Sequence, residues 1–207
     1  MCKIEIAINI EIILFLILFI ITKQIGLYLL FVLFLLIHEL THMVLGIILG
    51  FKPKKFILMP FGFKIEFKEI ETSKNVELKK IAISIAGPAV NLLIMVIAGA
   101  LKIHMNIIYI NLLIAIFNLI PIYPLDGGRI LKSILNIKLS HQKSYKIVNR
   151  VSNLSIITLT ALSSILVLYL KNINIIFVLV YLWYVVIREN KRYKIIKRVY
   201  GIIEKNK

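Results

Sequence analysis

Residues 27–49 are apolar almost without a break, yet the middle of the run carries His38, Glu39 and His42. A helix needs roughly 20 apolar residues to cross the hydrocarbon core of a bilayer. In that medium the backbone must satisfy its own hydrogen bonds, so such a run is expected to be helical. Ionisable groups at that depth are costly and mark function by default. This one segment therefore predicts a membrane helix with chemistry inside it.

Other apolar stretches repeat the pattern near 7–22, 81–101, 105–123, 154–170 and 173–188. The run at 105–123 is interrupted near its end by Pro121, with Pro124 just beyond. A mean hydropathy of +0.93 is foreign to a soluble domain of this length. The predicted fold class is an all-α polytopic membrane protein with about six transmembrane helices. It occupies 1–190 as one domain, followed by a basic cytosolic tail at 191–207. The first run has no small-residue cleavage site and reads as a retained signal anchor. Cys2 is the single cysteine, so no intrachain disulfide can form.

The net charge of +16 does not indicate nucleic acid, because the basic residues sit between apolar runs and form no basic domain. Of the 26 Lys and Arg residues, only Lys23, Lys102 and Lys171 lie in the three short connections. The excess of positive charge marks the cytosolic side. Both termini and the long connections at 50–80 and 124–153 are therefore expected in the cytosol. In the tail, Tyr193, Ile196, Tyr200 and Ile203 share a helical face beside Lys194, Lys197 and Arg198, which suits a basic helix on an anionic membrane surface.

One stretch breaks the helical pattern. Phe61, Phe63, Ile65 and Phe67 alternate with Gly62, Lys64, Glu66 and Lys68, the period-two mark of a half-buried strand. Paired with Phe56–Met59, it predicts a small β-hairpin at the cytosolic membrane edge, within about 52–70. Gly46 and Gly50 form a small-xxx-small pair of the kind that lets a neighbouring helix approach.

His38-Glu39-Leu40-Thr41-His42 fits H-E-x-x-H. Residues four apart share a helix face, so both imidazoles can reach one zinc ion, with Glu39 as general base on an activated water. A polar cluster packing two helices, or a proton path, is the competing reading. A catalytic zinc takes a third protein ligand. A histidine six residues after His42 is excluded, since Ile48 stands there. Glu66 and Asp126 are both candidates. Glu66 falls on the charged face of the predicted strand. Asp126 follows a helix broken by two prolines, and its segment and that of His42 both run toward the cytosol. His42 lies about 12 Å below that end at 1.5 Å per residue, so Asp126 is the better placed.

H-E-x-x-H in an early segment, joined to the run Asn118–Asp126–Gly127 with Pro121 and Pro124 inside it, resembles the site-2 protease family of intramembrane zinc metalloproteases. The pattern is similar to the branch of stage IV sporulation protein FB. Met59-Pro60-Phe61-Gly62 and Ala86-Gly87-Pro88-Ala89-Val90-Asn91 add to the likeness, which covers about 30–135. The resemblance implies zinc on His38, His42 and Asp126, with base catalysis by Glu39. It links Asn118, Pro121 and Pro124 to substrate positioning, and gives Asn91 either a place at the site or a helix-packing hydrogen bond. Thr41 departs from the small residue frequent at that position, and no CBS motif pair follows the last span.

The implied reaction is hydrolysis of a peptide bond near the cytosolic face, with one Zn2+ as cofactor. The implied partner is a membrane-associated sigma-factor precursor in the membrane around the forespore, under small membrane inhibitor proteins. Alternatives are the same chemistry on an anti-sigma factor or signal-peptide remnant, or a zinc-handling transporter. A peptide bond within a helix resists attack, so the substrate is expected to pair as an added strand beside Phe63 and Ile65.

Overall fold

The computed structural model describes residues 5–8, 25–59, 62–67, 74–170 and 174–205. The chain divides into two compact units, residues 1–118 and 119–207.

In the first unit, helix α1 (Ile25–Ile48) leads into strands β2 (Pro53–Met59) and β3 (Gly62–Phe67). Helices α2 (Lys74–Ala100) and α3 (Met105–Leu119) follow. α1 ends because Gly50 takes φ +89, a left-handed conformation that glycine adopts without a side-chain clash. Phe51 N–H then donates to the Gly46 carbonyl and Gly50 N–H to that of Ile47, which closes the helix end as a Schellman motif. Lys79 Nζ donates to the Leu49 carbonyl at 3.0 Å, a cation set at the negative end of the helix dipole.

β2 and β3 are antiparallel, with Met59 opposite Gly62, Leu58 opposite Phe63 and Phe56 opposite Ile65. A third strand, β1 (Glu5–Ile8), pairs parallel to β2 and gives the order β1-β2-β3. Ala7 and Ile8 therefore belong to a strand and not to the first apolar run, whose residues 9–22 lie outside the described residues. The small residue Gly46 admits a strand side chain and not a helix: a β-carbon there would strike the Phe67 ring, which also meets the Phe51 ring at 5.7 Å.

The interior of this unit joins α1, α2 and α3 around Phe34, Leu35 and Ile114. The exposure pattern is inverted relative to a soluble protein. His38, Asn91 and Asn111 are at 0% exposure, while Leu33, Val44, Leu93 and Leu113 are about half exposed or more. Among the described residues two helices, Ile25–Ile48 and Asn75–Ala100, are long and apolar enough to cross a membrane, and Met105–Leu119 is a shorter apolar helix.

In the second unit the 124–153 stretch is not an irregular connection. It holds helix α4 (Asp126–Lys138) and the first turns of α5 (His141–Leu170). α4 alternates apolar and polar residues at helical spacing, so a search for unbroken apolar runs passes over it. Helix α6 (Asn174–Lys205) carries the chain through the basic tail as one continuous helix. α5 and α6 pack together and are joined by the Asn190–Asn153 amide bond at 2.8 Å and by Trp183 Nε1–H donating to Thr160 Oγ1 at 2.9 Å.

Candidate metal centre

His38 and His42 stand one turn apart on the face of α1 that α2 covers, and both are buried. Each ring is held at Nδ1. His42 Nδ1–H donates to the Ile83 carbonyl at 2.6 Å, and His38 Nδ1–H donates to Asn91 Oδ1 at 2.6 Å. Ile83 and Asn91 both lie on α2, on either side of Pro88. Proline inside a helix removes one backbone donor and bends the helix, which distinguishes this stretch of α2 from a regular one.

With Nδ1 protonated on both rings, each Nε2 carries a lone pair. The two Nε2 atoms are 3.1 Å apart, with the rings edge to face. Two facing acceptors at that distance call for a cation. A tetrahedral zinc with Zn–N of about 2.0–2.1 Å sets its nitrogens about 3.3 Å apart, so the pair fits. Gly87 provides the space. A β-carbon on it would fall on the Nε2 atoms of both histidines, so only glycine lets α2 pass this close without filling the place a metal would take.

Glu39 is half-buried and directly follows His38 on α1. Asn118 lies at the end of α3, its amide donating to the Ile114 carbonyl at 3.1 Å.

Asp126 opens α4 in the second unit. It is buried, and the Arg129 guanidinium lies 3.5 Å from its carboxylate. The preceding chain is folded tightly: Ile122 N–H donates to the Ile120 carbonyl and Leu125 N–H to that of Ile122, both at 2.7 Å. The following glycines make this possible. A β-carbon on Gly127 would strike the Leu119 carbonyl, and one on Gly128 the backbone of Ile122 and Tyr123. Tyr123 N–H donates to Ser152 Oγ at 3.0 Å, which ties the turn to α5. Pro121 is exposed and Pro124 half-buried within this turn. The backbone of Phe63 and Ile65 runs in β3, and their side chains lie outside the described residues.

Three features at the histidines escaped the sequence. The Ile83 carbonyl cannot be read from side chains, and Gly87 reads only as a small residue in a helix. Asn111 was legible in principle: it is an amide in the middle of an apolar run, and a buried polar group in such a run asks for a partner. It is the partner of Asn91, whose Nδ2 donates to Asn111 Oδ1 at 2.8 Å.

Known proteins resemble this chain in sequence and in fold. The model of peptidase family M50 matches residues 26–106 and 98–162. A zinc metalloprotease of Methanocaldococcus jannaschii is 35% identical over 159 residues, 71% of this chain and 43% of that protein. Stage IV sporulation protein FB of Bacillus subtilis is 35% identical over 124 residues, 56% of this chain and 42% of that protein. The matches thus span less than half the length of these curated relatives. Among solved structures, the site-2 protease from Methanocaldococcus jannaschii is similar with a TM-score of 0.71 at 26% identity, over 91% of this chain and 92% of that one.

Proposed function

The chain belongs to peptidase family M50, and from that premise we propose that it is an intramembrane zinc metalloendopeptidase acting near the cytosolic face. The observation that carries the reading is the pair of buried imidazoles with Nε2 atoms 3.1 Å apart in a helix apolar enough to cross a bilayer. The proposed donor set is His38, His42 and Asp126, each of them buried. Two neutral imidazoles and a carboxylate form a catalytic zinc set with a position left for water or substrate.

Zinc, when bound, supplies a Lewis acid that polarises the scissile carbonyl and acidifies water. Glu39 is the general base: its carboxylate takes the proton of the attacking water and then delivers it to the leaving amine nitrogen. The six-span arrangement with both termini in the cytosol, and the hairpin at the membrane edge, belong to the same proposal. The distribution of Lys and Arg supports it.

The proposed substrate is a membrane-associated protein, held as an extra strand on the outer edge of β3 with Phe63 and Ile65 beside it. Among the described strands β3 pairs with β2 alone, and strand addition is a general way to present a peptide extended. Asn118 is proposed to hold the same segment from the other side, and Pro121 and Pro124 lie in the stretch that the family resemblance links to substrate positioning. The likeness to stage IV sporulation protein FB supports a sigma-factor precursor in sporulation, at the membrane around the forespore and under small membrane inhibitor proteins. Co-expression with sigma-factor precursors, anti-sigma factors and signal-peptide remnants tests the substrate. Cleavage of a precursor, and its loss in Glu39→Gln, is the expected result. Cleavage confined to another class would replace the sporulation reading while keeping the protease.

A further inference from the structure

A polar side chain inside apolar helix packing is costly unless its donors and acceptors are all satisfied. Asn91 on α2 and Asn111 on α3 are both at 0% exposure, and together they connect His38 to the backbone of α3. The direction of this chain is fixed at its far end. The Ile107 carbonyl can only accept, so Asn111 turns Nδ2 toward it at 2.9 Å. That leaves Asn111 Oδ1 facing Asn91, whose Nδ2 donates to it at 2.8 Å. Asn91 Oδ1 is then the atom 2.6 Å from His38 Nδ1, and an acceptor there requires the ring proton on Nδ1.

We propose that Asn91 and Asn111 are positioning residues for metal binding: a backbone carbonyl of α3, acting through two side-chain amides, sets the tautomer and ring orientation of His38. The inference rests on the zinc reading above. His42 needs no such chain, because its Nδ1 is held directly by the Ile83 carbonyl. The two Nδ1 atoms are therefore held differently: that of His38 by a side chain, which a substitution can remove, and that of His42 by a backbone carbonyl. Partners of this kind raise the basicity of the ligand and fix its aim, and their loss costs about 10–100-fold in metal affinity.

The test uses the full chain purified in detergent, with zinc affinity from chelator competition and the absorption spectrum of bound Co2+. Asn91→Leu is expected to weaken zinc about 10–100-fold and to shift the cobalt bands. Asn111→Leu touches neither histidine and gives a smaller loss of the same kind. In the Asn91→Leu background it adds nothing further, because the second amide acts only through the first. Thermal stability of the metal-depleted variants separates the alternatives. If both variants melt earlier but bind zinc and cobalt as the parent does, the pair is packing only and the proposal is overturned. Additive effects on affinity would overturn it too. If Asn91→Leu does not fold, Asn111→Leu decides, and an unchanged affinity and spectrum sinks the idea. A parent chain that takes up no zinc would overturn the zinc reading itself, whereas zinc bound equally by parent and variants overturns only this inference.

Discussion

The backbone of Gly87 lies directly against the His42 imidazole, so close that a β-carbon at this position would collide with Nε2. The same β-carbon would also strike His38 Nε2. Alanine at 87 is normally an improvement in a helix, by about 1 kcal/mol. Here the extra methyl sits between two buried rings whose Nδ1 atoms are already tied. Gly87→Ala is therefore expected to lower zinc affinity by about 100-fold or more, the upper end of what disturbing ligand orientation costs. Metal analysis after dialysis against a weak chelator checks this. Full zinc occupancy in the variant would show that the space beside Gly87 is not the metal's.

Asp126→Ala is expected to lose bound zinc, and Glu66→Ala is not. Asp126 is buried at the start of α4, on a turn that Gly127 and Gly128 allow to fold closely. Zinc stoichiometry of the two purified variants is the measurement. Metal lost from Glu66→Ala and kept by Asp126→Ala would reverse the third-ligand assignment.

Proline at Phe63 or Ile65 removes one backbone donor from β3. If the substrate pairs along the outer edge of this strand, whichever substitution falls on an outward-facing N–H should slow cleavage markedly while zinc content stays at the parent level. Cysteine crosslinks from 61–67 to the segment around the cleavage site give a direct reading. Two proline variants that both cleave at the parent rate, with crosslinks only elsewhere, would end the strand-addition model.

The pair of buried histidines on α1 was legible because their spacing and their setting agree. Four residues apart means one helix face, and two histidines in an apolar run need a reason. The irregular backbone before Asp126 was legible through Pro121 and Pro124, since prolines break a helix end. Other parts were not. β1 was absorbed into the apolar run that follows it, because four residues with partly apolar character look the same in a strand or at a helix start. α4 was passed over because its apolar residues are spaced and not continuous. Gly46 signalled a close approach, but a glycine does not say what approaches, and the structure puts the Phe67 ring there. The Ile83 carbonyl had no sequence signal at all, since every residue has one.

The most direct test of the account is a paired measurement of zinc content and cleavage in the parent and Glu39→Gln. Glutamine keeps the size and polarity of the side chain but cannot accept the proton of the attacking water. The account predicts one zinc per chain in both proteins, with cleavage lower in the variant by about 10²–10⁴-fold, the usual worth of a general base. A variant that loses its zinc together with its activity, or one that cleaves like the parent, would contradict the role given to Glu39 and with it the mechanism.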